Sequence, residues 1–264
     1  MASANSSRKP APSSAHKRRR MARALQSRED FILSDLHIGG LTPLTTTDYP
    51  GCLAAVVFCQ GCPWRCGYCH NPHLLPRTSP AQLDWRAVCG FLERRRGLLD
   101  AVVFSGGEPT LQTALMDAAR QVRGMGFKVG LHTAGMYPSR LKRMLPLFDW
   151  VGLDIKAPFE DYEKITGARG SGEKALVSAR LVLESGIEHE FRTTVSPRLF
   201  SDENLLRLTH TLAEHGVQHY SLQECRPSGR DERLFLEDAS DAYSRDLLYA
   251  KIGRLFSHFT LRRA

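Results

Sequence analysis

Residues 53–59 read Leu-Ala-Ala-Val-Val-Phe-Cys, and residues 60–72 continue Gln-Gly-Cys-Pro-Trp-Arg-Cys-Gly-Tyr-Cys-His-Asn-Pro. The first stretch is a short apolar run with strand character. It is continuous rather than alternating, as a parallel strand covered on both faces requires. Four cysteines then fall within the eleven residues from Cys59 to Cys69. They occupy the loop at that strand's C-terminal end.

The same rhythm repeats downstream. Further strands are predicted at Ala101–Ser105, Lys128–His132, Trp150–Ile155, His189–Val195 and Val217–Leu222. Helical patterns separate them. One starts at Ser79-Pro80-Ala81-Gln82, where Ser79 can cap, Pro80 suits the first helical position and Gln82 can close a capping box. Its apolar face is Leu83, Ala87, Val88, Phe91 and Leu92, and Gly97 ends it. Others cover about Leu111–Arg123, Ser139–Leu145 and Lys174–Ser185, a stretch capped by Ser201, and about Ala242–Phe256. Six consecutive β–α units imply a parallel α/β architecture with right-handed crossovers. Periodicity leaves open whether they curl into a partial barrel or lie as an open doubly wound sheet. In both, functional residues belong at the C-terminal ends of the strands.

Charge is unevenly placed. The 264 residues carry a formal net charge of +8, with 36 basic and 28 acidic residues. Residues 1–28 hold Arg8, Lys9, Lys17, Arg18, Arg19, Arg20, Arg23 and Arg28 and no acid, so the remaining residues are formally neutral. A neutral body argues against a broad phosphate-tracking surface, so no specific nucleic-acid partner is expected. The 1–28 stretch, rich in Ser, Ala, Pro and Arg, reads as a basic disordered tail preceding one domain at 29–264. A solvated extension, an over-long start with Met21 as the true first residue, a transit peptide, or a tether through His16–Arg20 are its competing readings. No membrane span and no secretory signal are expected from the apolar pattern.

The seven cysteines are Cys52, Cys59, Cys62, Cys66, Cys69, Cys89 and Cys225. An odd, crowded set is a poor disulfide pattern and suits a metal site in a reducing, cytoplasmic setting. Only three residues separate Cys62 from Cys66, which fits two zinc knuckles badly and an iron–sulfur cluster well. Two ligand sets are open. All four cysteines give a closed electron-transfer cluster, whereas Cys62, Cys66 and Cys69 leave one iron free for substrate. Cys59, ending a strand, reads as core more than ligand, and Cys225 faces the presumed site at the end of the sixth strand.

Cys62-x3-Cys66-x-Tyr68-Cys69 resembles the signature of the radical S-adenosylmethionine superfamily. Ser105-Gly106-Gly107-Glu108-Pro109, at the end of the second predicted strand, resembles that superfamily's GGEP motif. With Thr45–Gly51 (TTTDYPG) ahead of the cysteine loop, the chain is most similar to activating enzymes of glycyl radical enzymes, above all the anaerobic ribonucleoside-triphosphate reductase type. The resemblance implies a partial (β/α)6 barrel of parallel strands. It implies a [4Fe–4S] cluster on Cys62, Cys66 and Cys69, with S-adenosylmethionine on the open iron. Tyr68 would lie against adenine, and Gly106, Gly107 and Glu108 would receive the methionine ammonium. Asp154 and Lys156 match a DxK motif that contacts the cofactor or target peptide. Thr133 matches a DTNG-like stretch whose Asp is His132 here, and Arg226 falls near a ribose-contacting position.

The expected activity is reductive cleavage of S-adenosylmethionine to install a glycyl radical on a partner. The expected partners are an anaerobic ribonucleotide reductase large subunit and a low-potential donor such as flavodoxin or ferredoxin. Activation of a pyruvate formate-lyase type enzyme, a peptide-modifying activity and a non-catalytic iron–sulfur protein are the alternatives. Arg192 binds a carboxylate or pairs with Glu190 or Asp154. His70 and Trp64 read as structural, and Asp154 with Lys156 also reads as a surface ion pair.

Overall fold

Residues 36–79, 83–196, 199–225 and 242–263 are described by a computed structural model of the protein. Eight strands form one sheet in sequential order: β1 (Ile38–Thr45), β2 (Ala54–Cys59), β3 (Ala101–Gly106), β4 (Lys128–Thr133), β5 (Trp150–Asp154), β6 (Glu188–Val195), β7 (His219–Glu224) and β8 (His258–Arg262). β2 to β8 are parallel, each beside its predecessor, and β1 lies antiparallel on β2. β1 and β8 end the order unpaired with each other, so the curled sheet is a partial barrel.

The six predicted strands are β2 to β7, with ends within two residues. The two added strands flank them. β1 (IGGLTPLT) contains two glycines and a proline, a composition that an edge strand tolerates and a sequence pattern does not announce. β8 is five residues long and alternates polar with apolar residues.

Helices cover the outer face: α1 (Trp85–Glu93), α2 (Leu115–Gly124), α3 (Pro138–Met144), α4 (Tyr162–Thr166), α5 (Ser171–Glu184), α6 (Asp202–Glu214) and α7 (Ala242–Gly253). The Ser201 cap is present, its hydroxyl accepting from Asn204 N at 3.2 Å. The first helix starts later than its sequence suggests. The Leu83 amide donates to the Ile38 carbonyl, which keeps the chain extended there, and Asp84 caps the helix by accepting from Arg86 N. It also ends at Glu93, and Gly97 sits in the following turn at φ +74°. Residues 80–82 lie outside the described residues, as do the 1–28 tail and Arg226.

Strand alternation divides the apolar residues into two cores. Val57, Val102, Phe104, Val129, Leu131, Val151 and Leu153 face the helices in the large outer core. Ala54, Val56, Ala101, Val103 and Trp150 face the lumen with Tyr49. Tyr49 belongs to the β1–β2 loop, which turns up into the lumen, and its ring meets Trp150 at 5.3 Å. Glycines make the room. A Cβ on Gly130 of β4 would lie 3.1 Å from the Tyr49 ring, and one on Gly152 of β5 would lie 2.8 Å from the Arg192 guanidinium carbon. Thus two Val-Gly-Leu strands hollow the lumen at staggered positions, Gly130 beside Trp150 and Gly152 beside His132. No helix among the described residues is long and apolar enough to cross a membrane.

Candidate cofactor site

The cysteine loop leaves β2 at the C-terminal end of the sheet, and protein contacts fix it at both ends. Gly61 N and Cys62 N donate to Leu74 O and Leu75 O. Gln60 donates through Nε2 to His73 O at 3.0 Å and Pro76 O at 2.7 Å. In mid-loop, Arg65 N donates to Thr166 O at 2.9 Å and the Trp64 ring packs edge-on to Tyr162. Trp64 is therefore the packing anchor its sequence context suggested, although it also borders the cavity.

One cavity collects most of the expected site. Cys62, Cys66, Tyr68 and Cys69 line it from the loop, with Gly106 ending β3, Gly107 following it and Thr133 ending β4. Asp154, Lys156 and Arg192 line it from β5 and β6. Cys59 does not: its side chain is completely buried in the outer core. Cys225 is buried at the end of β7, its sulfur 3.6 Å from His70 Nε2, and His70 does border the cavity.

The three loop thiols suit a cluster. Burial raises the pKa of Cys62 to about 12, with the nearby Glu108 carboxylate adding to it, and burial also raises Cys66. Such thiols ionise when a metal supplies the opposing charge. With no other cysteine among the described residues on the cavity wall, three ligands leave one iron of a four-iron cluster open. The residues present fit that group.

Opposite the loop, charges are tied together. Arg192 donates through Nε (3.0 Å) and Nη2 (2.9 Å) to Asp154 Oδ1. Lys156 Nζ lies 3.6 Å from Asp154 Oδ2 and 5.7 Å from the centre of the Tyr68 ring. Burial pushes the Asp154 pKa up, but Arg192 and Lys156 pull it below the ordinary carboxylate value. Burial works against the Lys156 charge, yet Tyr68 and Asp154 hold its pKa well above the usual lysine value. Asp154 and Lys156 are thus part of the cavity wall, not a surface pair. Of the two acids considered for Arg192, Asp154 is its partner, and Glu190 pairs with Arg262 instead at 2.9 Å.

His132 stands where the resemblance has a carboxylate. Its Nε2 lies 2.7 Å from Asp48 O and 3.0 Å from Arg192 Nη1. One nitrogen cannot serve both contacts: as N–H it donates to the Asp48 carbonyl, and only as a bare nitrogen does it accept from Arg192, so the two are alternatives set by the tautomer. Burial and the Arg192 charge hold the imidazole neutral, lowering its pKa. Asp48, Thr194 and Gln223 also line the cavity. Strand parity with Arg192 locates Thr194, and Gln223 lies near the end of β7, but nothing local in Thr45–Gly51 signals that Asp48 folds into the lumen.

Glu108 follows the two cavity-lining glycines of the turn. It is completely buried and is absent from the cavity wall, although Gly106 and Gly107 are on it. Its Oε1 accepts from Thr110 N (3.1 Å), the Thr110 hydroxyl and the Thr133 hydroxyl (2.6 Å), and its Oε2 accepts from Ala134 N (3.0 Å).

A parallel partial barrel with three cavity-facing thiols on one loop defines an iron–sulfur enzyme scaffold. The Radical SAM superfamily pattern matches residues 56–211, more than half of the chain. The chain belongs to the radical SAM superfamily and is an enzyme whose cofactors are a [4Fe–4S] cluster and S-adenosylmethionine. A Methanocaldococcus jannaschii protein named as a glycyl-radical enzyme activating enzyme is 30% identical over 218 residues, covering 75% of this chain and 83% of that protein. The pyruvate formate-lyase-activating enzyme of Clostridium pasteurianum is 32% identical over 189 residues, 69% of this chain and 77% of that one. Among solved structures, Streptococcus suis SuiB bound to its precursor peptide SuiA aligns with a TM-score of 0.62 at 14% identity. That alignment covers 99% of this chain and 57% of SuiB, so the chain spans little more than half of that protein, and the likeness is one of fold.

Proposed function

We propose that this enzyme installs a glycyl radical on a partner, and that the partner is an anaerobic ribonucleoside-triphosphate reductase. The observation that carries the proposal is the set of three thiols facing one cavity whose far wall is charged and polar. The names of the two relatives support the activating role. The TTTDYPG segment and the cysteine loop support the reductase as target.

In this reading residues 29–264 act as one radical SAM domain in the cytoplasm, supplied with electrons by a flavodoxin or ferredoxin. Cys62, Cys66 and Cys69 hold the cluster, and Tyr68 flanks the adenine. When bound, cluster and S-adenosylmethionine supply one-electron cleavage of a sulfonium and with it a hydrogen-abstracting carbon radical. The chain's own residues position and shield. Backbone at Gly106 and Gly107 offers carbonyls to the ammonium, and Thr133 closes that side. Lys156 and Arg192 keep fixed positive charge on the opposite wall, with Asp154 setting their positions. A partner glycine must reach this cavity to near-attack distance, which calls for a flexible partner loop at the C-terminal ends of the strands.

The test is anaerobic incubation of the reconstituted, reduced enzyme with S-adenosylmethionine and the reductase. A glycyl radical signal in the reductase with stoichiometric 5′-deoxyadenosine supports the proposal. 5′-Deoxyadenosine without a radical on the reductase, but with one on a pyruvate formate-lyase type partner, reassigns the target.

A further inference from the structure

The cysteine loop has two faces. Between Cys62 and Cys69 exposure alternates: Trp64, Cys66 and Tyr68 are buried, while Pro63, Arg65 and Gly67 are exposed. A Cβ on Gly67 would meet nothing within 4 Å. The loop is thus a single layer of chain, with the cavity-lining thiols on its inner side and water on its outer side. The returning arm extends the outer face. Gly61 N and Cys62 N bond to Leu74 O and Leu75 O, which brings the exposed Arg77 alongside, its Cα 3.5 Å from where a Gly61 Cβ would be.

This outer face is positively charged. Residues 49–83 contain no acid, and apart from histidine their basic residues are Arg65 and Arg77. Arg65 folds back over the loop and donates through Nη1 to Cys62 O (2.5 Å) and Trp64 O (3.0 Å). Those carbonyls fix the guanidinium without cancelling its charge. Arg65 N donates to Thr166 O, and the exposed Arg169 follows in the same turn. The acids of that neighbouring segment are engaged elsewhere. Glu160 and Asp161 pair with Arg207, each at 2.7 Å, Asp161 also pairs with Lys164, and Glu163 accepts from Gly170 N. Among the described residues no carboxylate forms an ion pair with Arg65, Arg77 or Arg169.

The cavity has to receive the target loop, so the outer face is the approach to the cluster that stays available when the cavity is filled. We infer that this face, with Arg65, Arg77 and Arg169, is the docking surface for an acidic electron-carrier protein. The inference rests on the cluster that family membership gives and on the donor class proposed above, not on which glycyl radical enzyme is the target. The carrier's reduced flavin or iron–sulfur centre loses one electron and the cluster gains it, with no bond made or broken. Electron transfer falls off steeply with distance, and one thickness of backbone separates a carrier seated here from the thiols. Opposite charge speeds such an encounter and sets its orientation, and fixed guanidinium groups suit carboxylates.

The cluster-reconstituted enzyme and a flavodoxin test it. Calorimetry follows binding of the oxidised flavodoxin, and anaerobic stopped flow follows cluster reduction by its hydroquinone. Arg77→Glu and Arg169→Glu should each weaken binding and slow reduction by about threefold to tenfold at low salt, and added salt should shrink the difference. Arg254→Glu, an exposed arginine just before β8 at the opposite end of the sheet, should change neither. Reduction by a photoreduced deazaflavin, which needs no docking, should be the same in all four proteins. Oxidised flavodoxin should also slow amide exchange in residues 63–78 of the wild type. Unchanged binding and reduction in both loop-face variants overturn the inference, as does an equal loss in Arg254→Glu; if one loop-face variant fails to fold, the other decides. A loss that appears equally with deazaflavin overturns it too, because the arginine then acts on the cluster and not on a carrier. A wild type that deazaflavin reduces, but that neither flavodoxin nor a ferredoxin binds or reduces, overturns the acidic carrier as occupant. Normal reduction with weakened binding of the reductase in the same variants gives the face to the target instead. None of the reduction measurements needs the target, so a wrong target assignment leaves them standing.

Discussion

Arg192 and Asp154 face each other directly on β5 and β6, and two guanidinium nitrogens reach the same carboxylate oxygen, Oδ1, at 3.0 and 2.9 Å. The third nitrogen, Nη1, goes to His132. Arg192 is only 6% exposed, so removing its charge leaves Asp154 and His132 without their common partner. Arg192→Gln should cost about 1–3 kcal/mol of stability, less than a fully buried pair because Asp154 keeps some solvent. Arg192→Lys should recover part of the charge but not the fork. Denaturant unfolding of both variants, with Asp154→Asn in a double-mutant cycle, measures the coupling. Additive effects would show that the pair contributes nothing.

Glycine requirements around the cluster should be sharply unequal. Gly107→Ala forces a carbon against the Gly61 carbonyl, whereas Gly67, inside the cysteine motif itself, has open space where its Cβ would be. Gly107→Ala should lose about 2–4 kcal/mol and most of its iron uptake. Gly67→Ala should keep both. Iron content after reconstitution and the melting temperature read the difference.

The four crowded cysteines should divide three to one. Ala at Cys62, Cys66 or Cys69 should abolish cluster assembly, because each lines the cavity. Cys59→Ala should retain the cluster and lose about 1 kcal/mol from a small core void. Iron-to-protein ratio and EPR of the reduced variants decide it. A cluster lost with Cys59→Ala would restore the closed four-cysteine site.

The central part of this fold was legible because its strands are apolar on both faces. β2 to β5 need no alternation to be recognised. β1 and β8 lie at the edges, where Gly39, Gly40 and Pro43 are tolerated and local composition stops being informative. The site was legible where ligand chemistry fixes spacing, as at Cys62, Cys66 and Cys69. It was not legible where a side chain's direction depends on packing far along the chain. That Thr133 and Ala134 become hydrogen-bond donors to Glu108 depends on β4 bringing them there. Asp48 looks like a loop acid until Tyr49 carries it into the lumen.

His132 should make stability depend on pH in one direction. Its folded pKa lies below the free value of 6.5, so the unfolded chain binds more protons once pH falls beneath that value. Stability from this group is therefore intact above pH 6.5 and declines as pH drops toward the folded pKa. The slope reaches about 1.4 kcal/mol per pH unit for one proton. The difference between wild type and His132→Gln, followed by urea unfolding from pH 7 to pH 4.5, should shrink with acidity. A difference that stays constant would mean that the imidazole takes up its proton as readily in the folded enzyme as in the unfolded chain.

The lumen is furnished unequally. On the β2 to β5 side its N-terminal half is filled by the protein's own Val56, Val103, Tyr49 and Trp150. Its C-terminal half presents Arg192, Thr194 and Gln223. A visiting chain entering that half would find hydrogen-bond partners on β6 and β7 and only a modest apolar area, from Trp64, Leu75 and Met136, across the cavity. Adhesion between proteins comes largely from apolar area removed from water, while polar contacts mainly set register. The chamber is therefore built to inspect a visitor, not to retain it. The grip that keeps enzyme and target together has to lie outside the chamber, and a short peptide copied from the target loop should be a poor substitute for the whole protein.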